Sequence, residues 1–254
     1  MLLARVVQAV EAVTATRSRL AKIEALAGLL SALEPDEFAP AVGLLTASPR
    51  QGRIGVGWRG IASLEVEHAH EPSLTIADVD AAFEALATAS GPGSAGARSA
   101  TLQVLAARAT GAEWDFLARV IVGELRTGAL EGVLLDAIVR ASGREAASVR
   151  RAAMLSGDLG GTAALAITGT ADELDAVGLV VGRAIMPMLA GTAPSTAEAI
   201  ATVGEASVEF SSTARASRCI ARAMRSGCSP ATSPTSRIGS RRSWTSSGGC
   251  RCRR

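Results

Sequence analysis

FLARVIVGELRTGALEGVLLDAI, Phe116 to Ile138, places apolar residues at three- and four-residue spacing on both sides of one polar break, Arg126-Thr127-Gly128. That pattern predicts a helix over Glu113 to Glu124, a tight turn, and a second helix over Leu130 to Ala141. The same reading extends outward in both directions. Upstream, Met1 to Ala15 carries Val6, Val7, Val10 and Val13 at helical spacing, with Arg5 and Glu11 interrupting the apolar run, so it reads as an amphipathic helix and not as a leader peptide. Arg17 to Leu33 sets Leu20, Ile23, Leu26, Leu30 and Leu33 on one stripe, and Glu34-Pro35-Asp36 ends it. Further helices are predicted over Phe38 to Leu45, Trp58 to Leu64, Ile76 to Ala89, Arg98 to Ala109, Arg144 to Ser156, Gly160 to Ile167 and Ala171 to Val181. Gly52-Arg53-Ile54-Gly55-Val56-Gly57, His68 to Leu74 and Ser90 to Gly96 read as connections. From Pro187 the pattern changes, and Ala206 to Phe210 resembles a first strand.

Composition agrees with an all-α fold. The chain has 254 residues, is rich in Ala, Leu and Val, has 3% aromatic residues and contains no Tyr, which favours helices over sandwiches or barrels. No Cys precedes Cys219, which excludes a disulfide framework or a thiolate metal site in the helical part. The run Ala176 to Gly191 is too short to span a bilayer and contains Arg183 and Pro187. A soluble, reduced, cytoplasmic protein is expected.

The helical array repeats itself weakly. Leu26 to Leu33, Pro35-Asp36-Glu37-Phe38, a helix and Arg53-Ile54-Gly55 can be laid against Leu102 to Ala109, Glu113-Trp114-Asp115-Phe116, a helix and Arg126-Thr127-Gly128. Each half turns through Arg-x-Gly into a new helix whose first backbone N–H groups lack partners within the helix. Glycine lets a phosphate approach the main chain, and the arginine neutralises it. Two such turns could straddle the strands of a duplex. The plainer alternative is that Gly55 and Gly128 only connect helices and the arginines are solvated.

After Phe210 the chain changes character. The final 44 residues hold 11 Ser, 10 Arg and all four Cys, with no Asp, Glu or Lys, and carry +10, whereas the first 210 carry −8. One reading is a disordered, basic, nucleic-acid-binding arm on a helical scaffold. The other is a coding frame displaced by one base. Written in permitted codons and re-read from the third base, Ser211 to Ala221 becomes LDGARIQVHR, and one restored A supplies a lysine ahead of it. Met224 to Ser236 can likewise yield DEVRVFSRNLADV, an ordinary strand-like sequence.

Smaller features read as structural. His68 and His70 lie in a charged loop, Glu113 and Asp115 form an acidic pair at a helix start, and Trp58 and Trp114 are expected to staple helix starts to the core. Arg150 and Arg151 read as a solvated helix face, and Cys250 and Cys252 lack the partners that metal binding needs.

At its turns the sequence resembles the helical DNA-binding domain at the front of single-chain ATP-dependent DNA ligases of bacteria and archaea. The resemblance rests on FLARVIVGELRTGALEGVLLDAI together with TATRSRLAKIEALAGLL at Thr14, GRIGVG at Gly52, SGDLG at Ser156, PMLAG at Pro187 and VEF at Val208, in that order. It implies a DNA-binding domain over residues 1–185, the opening of a nucleotidyltransferase domain with its short β stub over 186–210, and an out-of-frame, disordered tail over 211–254.

In that family a Glu-x-Lys-x-Asp-Gly motif carries the nucleotide on its lysine. The lysine amine attacks the α-phosphate of ATP, AMP passes to the 5′-phosphate of a nick, and the 3′-hydroxyl displaces it, with Mg²⁺ offsetting phosphate charge. Glu209 and Phe210 match the first two positions of the motif, but the lysine position holds Ser211. The displaced frame supplies KLDG at that point. The resemblance therefore implies a nicked-duplex partner, a monomer, no membrane, no cofactor in this chain as written, and no ligation. Its DNA contacts fall on Arg53, Gly55, Arg126 and Gly128, with Arg50 and Arg59 beside them.

Overall fold

The computed structural model describes residues 1–125, 130–186, 194–203, 217–222 and 225–230. Two compact units divide it, Met1–Gly178 and Leu179–Arg254. The first is wholly helical: α1 Leu3–Ala15, α2 Arg19–Leu30, α3 Phe38–Leu45, α4 Trp58–Ala62, α5 Ile76–Thr88, α6 Ser94–Arg108, α7 Gly111–Val122, α8 Leu130–Ser142, α9 Ala146–Ser156, α10 Leu159–Thr168 and α11 Ala171–Asp175. The second contains α12, Thr196–Val203, and an antiparallel pair, β1 Ser217–Arg222 and β2 Arg225–Pro230, in which Cys219 faces Cys228 in register. The strand expected at Ala206 to Phe210 lies outside the described residues.

The stripes read from sequence face one core. Val6, Val7, Val10 and Val13 of α1, Ile23, Leu26 and Leu30 of α2, and Leu134 and Ile138 of α8 are all buried. Leu20 departs from expectation: it lies in the first turn of α2, which begins at Arg19, and is 77% exposed. α2 packs on α1 and α8, and α3 packs on α10. A Cβ on Gly160 would lie 2.9 Å from the Ala39 Cα, so the α3–α10 approach requires glycine there. In the same SGDLG segment, Gly157 caps the end of α9 and Asp158 accepts a hydrogen bond from the Gly161 N–H at 2.8 Å to start α10. This landmark therefore serves packing and capping.

Capping also fixes the helix starts around the expected site. Thr75 with Asp78 opens α5 and Thr110 with Glu113 opens α7 through reciprocal side-chain and backbone hydrogen bonds. Glu113 is 1% exposed, and its cap role accounts for the first member of the acidic pair read at that helix start.

Candidate nucleic-acid interface

The connection from α3 to α4 is long for a helix–helix joint and is fastened at several points. Arg50 grips Asp80 of α5 with two parallel hydrogen bonds of 2.7 and 2.6 Å, and Gln51 donates to the same carboxylate at 2.7 Å. Glu84 adds a weaker contact to Arg50 at 3.6 Å. Burial would raise the Asp80 carboxyl, but the hydrogen bonds from Arg50 and Gln51 outweigh it and hold the group below its usual range. Arg50 is raised in turn, chiefly by its hydrogen bond to Asp80. The Arg50 side chain remains 47% exposed, but its charge is paired within the fold.

Beyond this clamp Ile54 inserts into the core, 5% exposed. Gly55 follows at φ +69°, a left-handed conformation that costs other residues energy, and a Cβ there would sit 3.2 Å from the Arg98 guanidinium. Arg98 cannot move aside freely, because it donates to the carbonyls of Leu86 at 3.3 Å and Ala89 at 2.5 Å, closing the end of α5. The loop thus rests on a capped helix end. Arg53 of the loop and Trp58 and Arg59 at the start of α4 are all exposed, and among the described residues neither arginine has an ion-pair partner. Trp58 overturns its expected role: it is 65% exposed, whereas Trp114 is buried at 8%. α4 has five residues with Ile61 alone buried, so it offers little surface onto which an indole could fold back.

An open hollow of about 460 Å³ separates this loop from the end of α7, bounded by Arg53, Gly55 and Gly57 on one side and by Val120, Val122 and Gly123 on the other. Gly123 terminates α7, and the chain then runs through Leu125 toward the second Arg-x-Gly turn. Arg126 and Gly128 lie outside the described residues, as do Glu209 and Ser211. The Gly52–Gly57 loop and the C-terminal end of α7 therefore line one hollow.

Elsewhere in the helical unit most arginines are paired or hydrogen-bonded, although Arg5 and Arg17 are exposed and, among the described residues, outside every ion pair. Asp136 of α8 receives Arg19 of α2 at 2.7 Å and Arg150 of α9 at 2.9 Å. Burial pushes its carboxyl up, and the two guanidinium hydrogen bonds overcome this to hold it below the usual range. Arg140 meets Glu24 at 2.6 Å. Arg108 meets Asp78 at 3.1 Å, and with the Thr75 hydroxyl and N–H it holds that carboxyl down to about 2. Arg151 donates to the Asp175 carbonyl at 2.9 Å. Sequence reasoning missed Arg98 and Asp80, since the first stands in a Gly/Ser/Ala-rich stretch and the second on an ordinary helix face.

Residues 62–139 match the family model described as DNA ligase N terminus. A Pseudarthrobacter chlorophenolicus protein named Probable DNA ligase is 60% identical over 210 residues, which cover 83% of this chain and 41% of the relative. Proteins of the same name from Saccharopolyspora erythraea and Rhodococcus jostii are 49% identical over 210 residues and 46% over 211, again covering 83% of this chain and 41% and 42% of theirs. The chain spans about two-fifths of the length of these curated relatives.

Proposed function

We propose, for a chain that carries a DNA ligase N-terminal domain, that it grips nicked duplex DNA through its phosphates, using the loop at Gly52–Gly57 and the turn at Arg126–Gly128 as paired contacts. The observation that carries the reading is the distribution of charge. Within the first 210 residues, of net charge −8, most arginines of the helical unit are tied to carboxylates or carbonyls; Arg53 and Arg59 are exposed and unpaired among the described residues, as are Arg5 and Arg17, but of these four only Arg53 lines the hollow beside the end of α7. Local cations on a rigid mount can hold phosphates even where the net field is repulsive, and such binding is modest and salt-sensitive. Gly55 supplies the left-handed bend that seats that loop against Arg98. Arg50 is read as the clamp that sets the loop, at one remove from the phosphate.

Sealing is a separate matter. The resemblance places the nucleotide on a lysine at position 211, and the chain as written has Ser211. A serine hydroxyl cannot form the phosphoramidate that an amine forms, so no step through ATP or Mg²⁺ is assigned to this chain. The domain division at residues 185 and 210 and the displaced frame after Phe210 belong to the same proposal. The matched length of 210 residues equals the length of chain before the composition break, which supports the frame reading.

Fluorescence anisotropy with a labelled nicked duplex tests the binding claim. Arg126→Glu weakens binding at least tenfold in this account, and removing residues 211–254 leaves it within about twofold. The opposite pattern assigns binding to the Ser/Arg-rich arm and makes the helical unit a scaffold.

A further inference from the structure

Trp58 is the large aromatic side chain that the fold of the helical unit leaves outside. It is 65% exposed, while Trp114 and the three phenylalanines Phe38, Phe83 and Phe116 are at most 8% exposed. A solvated indole leaves a large, rigid apolar face open to a partner. Its neighbours indicate the chemistry of that cover. Arg59 is adjacent in sequence and Arg53 lies five residues earlier, both exposed and, among the described residues, without an ion-pair partner. The mount is firm on both sides: Ile54 at 5% and Ile61 at 6% exposure anchor the loop and α4, and the Gly60 N–H donates to the Gly57 carbonyl at 3.0 Å across the turn that carries the indole. An exposed indole on a segment that also carries two exposed guanidinium groups matches a nucleotide strand, which offers alternating phosphates and flat or sugar surfaces.

We infer that Trp58 packs its indole against a sugar or base face of the bound duplex, supplying an apolar contact between the phosphate contacts of Arg53 and Arg59. The inference rests on the proposed phosphate grip and adds to it a contact of different physical kind. A phosphate contact releases counterions and therefore appears in the salt dependence of binding, whereas an aromatic contact does not. The two are separable in one titration series.

The full chain carrying Trp244→Phe, so that Trp58 and Trp114 report, is titrated with nicked duplex over a range of salt. Indole emission falls on binding, since the exposed Trp58 enters a new environment while buried Trp114 stays in its own. Trp58→Ala weakens binding roughly tenfold at every salt concentration with an unchanged slope, and Trp58→Phe restores most of the loss. Arg53→Ala weakens binding and reduces the slope by about one. Thermal melts of both Trp58 variants match the parent, as expected for an exposed side chain. If Trp58→Ala binds like the parent while Arg53→Ala weakens binding, the indole contact is wrong and the phosphate grip stands. If neither substitution changes binding, both fall.

Discussion

Arg50 and Arg53 stand three residues apart in one loop and are used in opposite ways. Arg50 is bound twice to Asp80 and touches Glu84, so its charge serves the fold. Arg53, past the clamp, is exposed and outside every ion pair among the described residues. The same division separates the α2–α8–α9 seam, where Arg19, Arg140 and Arg150 meet Asp136 and Glu24, from the Gly52–Arg59 surface. Net charge is therefore a poor guide to binding here. Which cations remain available is decided by where the carboxylates stand.

Four substitutions press on that division. The largest expected effect is on DNA: Arg53→Glu lowers affinity for nicked duplex by ten- to a hundredfold, while its melting temperature stays near that of the parent, as anisotropy and a thermal melt would record. Gly55→Val comes next and joins the two roles. At φ +69° and 3.2 Å from Arg98, it costs about 1–3 kcal/mol in stability and loosens DNA binding with it, measured by denaturant unfolding and anisotropy on the same sample.

Asp136→Ala leaves Arg19 and Arg150 without their shared partner and lowers stability by about 1 kcal/mol, with DNA affinity changed less than threefold. The smallest effect is a pH dependence. Asp78 is held at about 2 against an ordinary 3.8, so its favourable contribution is complete at neutral pH and is lost as pH falls from 3.8 through about 2. Asp78→Asn is therefore less stable than the parent at pH 7, by on the order of 1 kcal/mol after allowance for solvent screening, and the difference shrinks as pH falls through about 2 and vanishes below it.

Most helices were legible because the sequence punctuates them. Phe38 to Leu45 is bounded by Pro35 and by Ser48-Pro49, and the structure gives the same limits. α6 starts earlier than its apolar pattern, at Ser94, because Gly93 in a left-handed conformation turns the chain into it. α11 stops at Asp175 although apolar residues continue to Val181, and Leu179, Val180 and Val181 are exposed. α12 was missed although its start is marked, since Ser195 accepts a hydrogen bond from the Glu198 N–H in a Ser-x-x-Glu pattern. The site was less legible. Arg50 and Arg53 look alike in sequence, and only the placement of Asp80, thirty residues later, tells them apart. Trp58 looks like a staple until α4 proves too short to receive it.

Arg19 and Arg53 provide the most direct test, because alanine at either position removes one positive charge. The binding of nicked duplex by the parent, Arg19→Ala and Arg53→Ala is measured across a salt series. The account predicts that Arg53→Ala alone reduces the slope of log affinity against log salt by about one, with Arg19→Ala parallel to the parent. Equal changes at both positions would mean that the domain responds only to its total charge, and would contradict the assignment of the Gly52–Arg59 loop as the DNA-gripping surface.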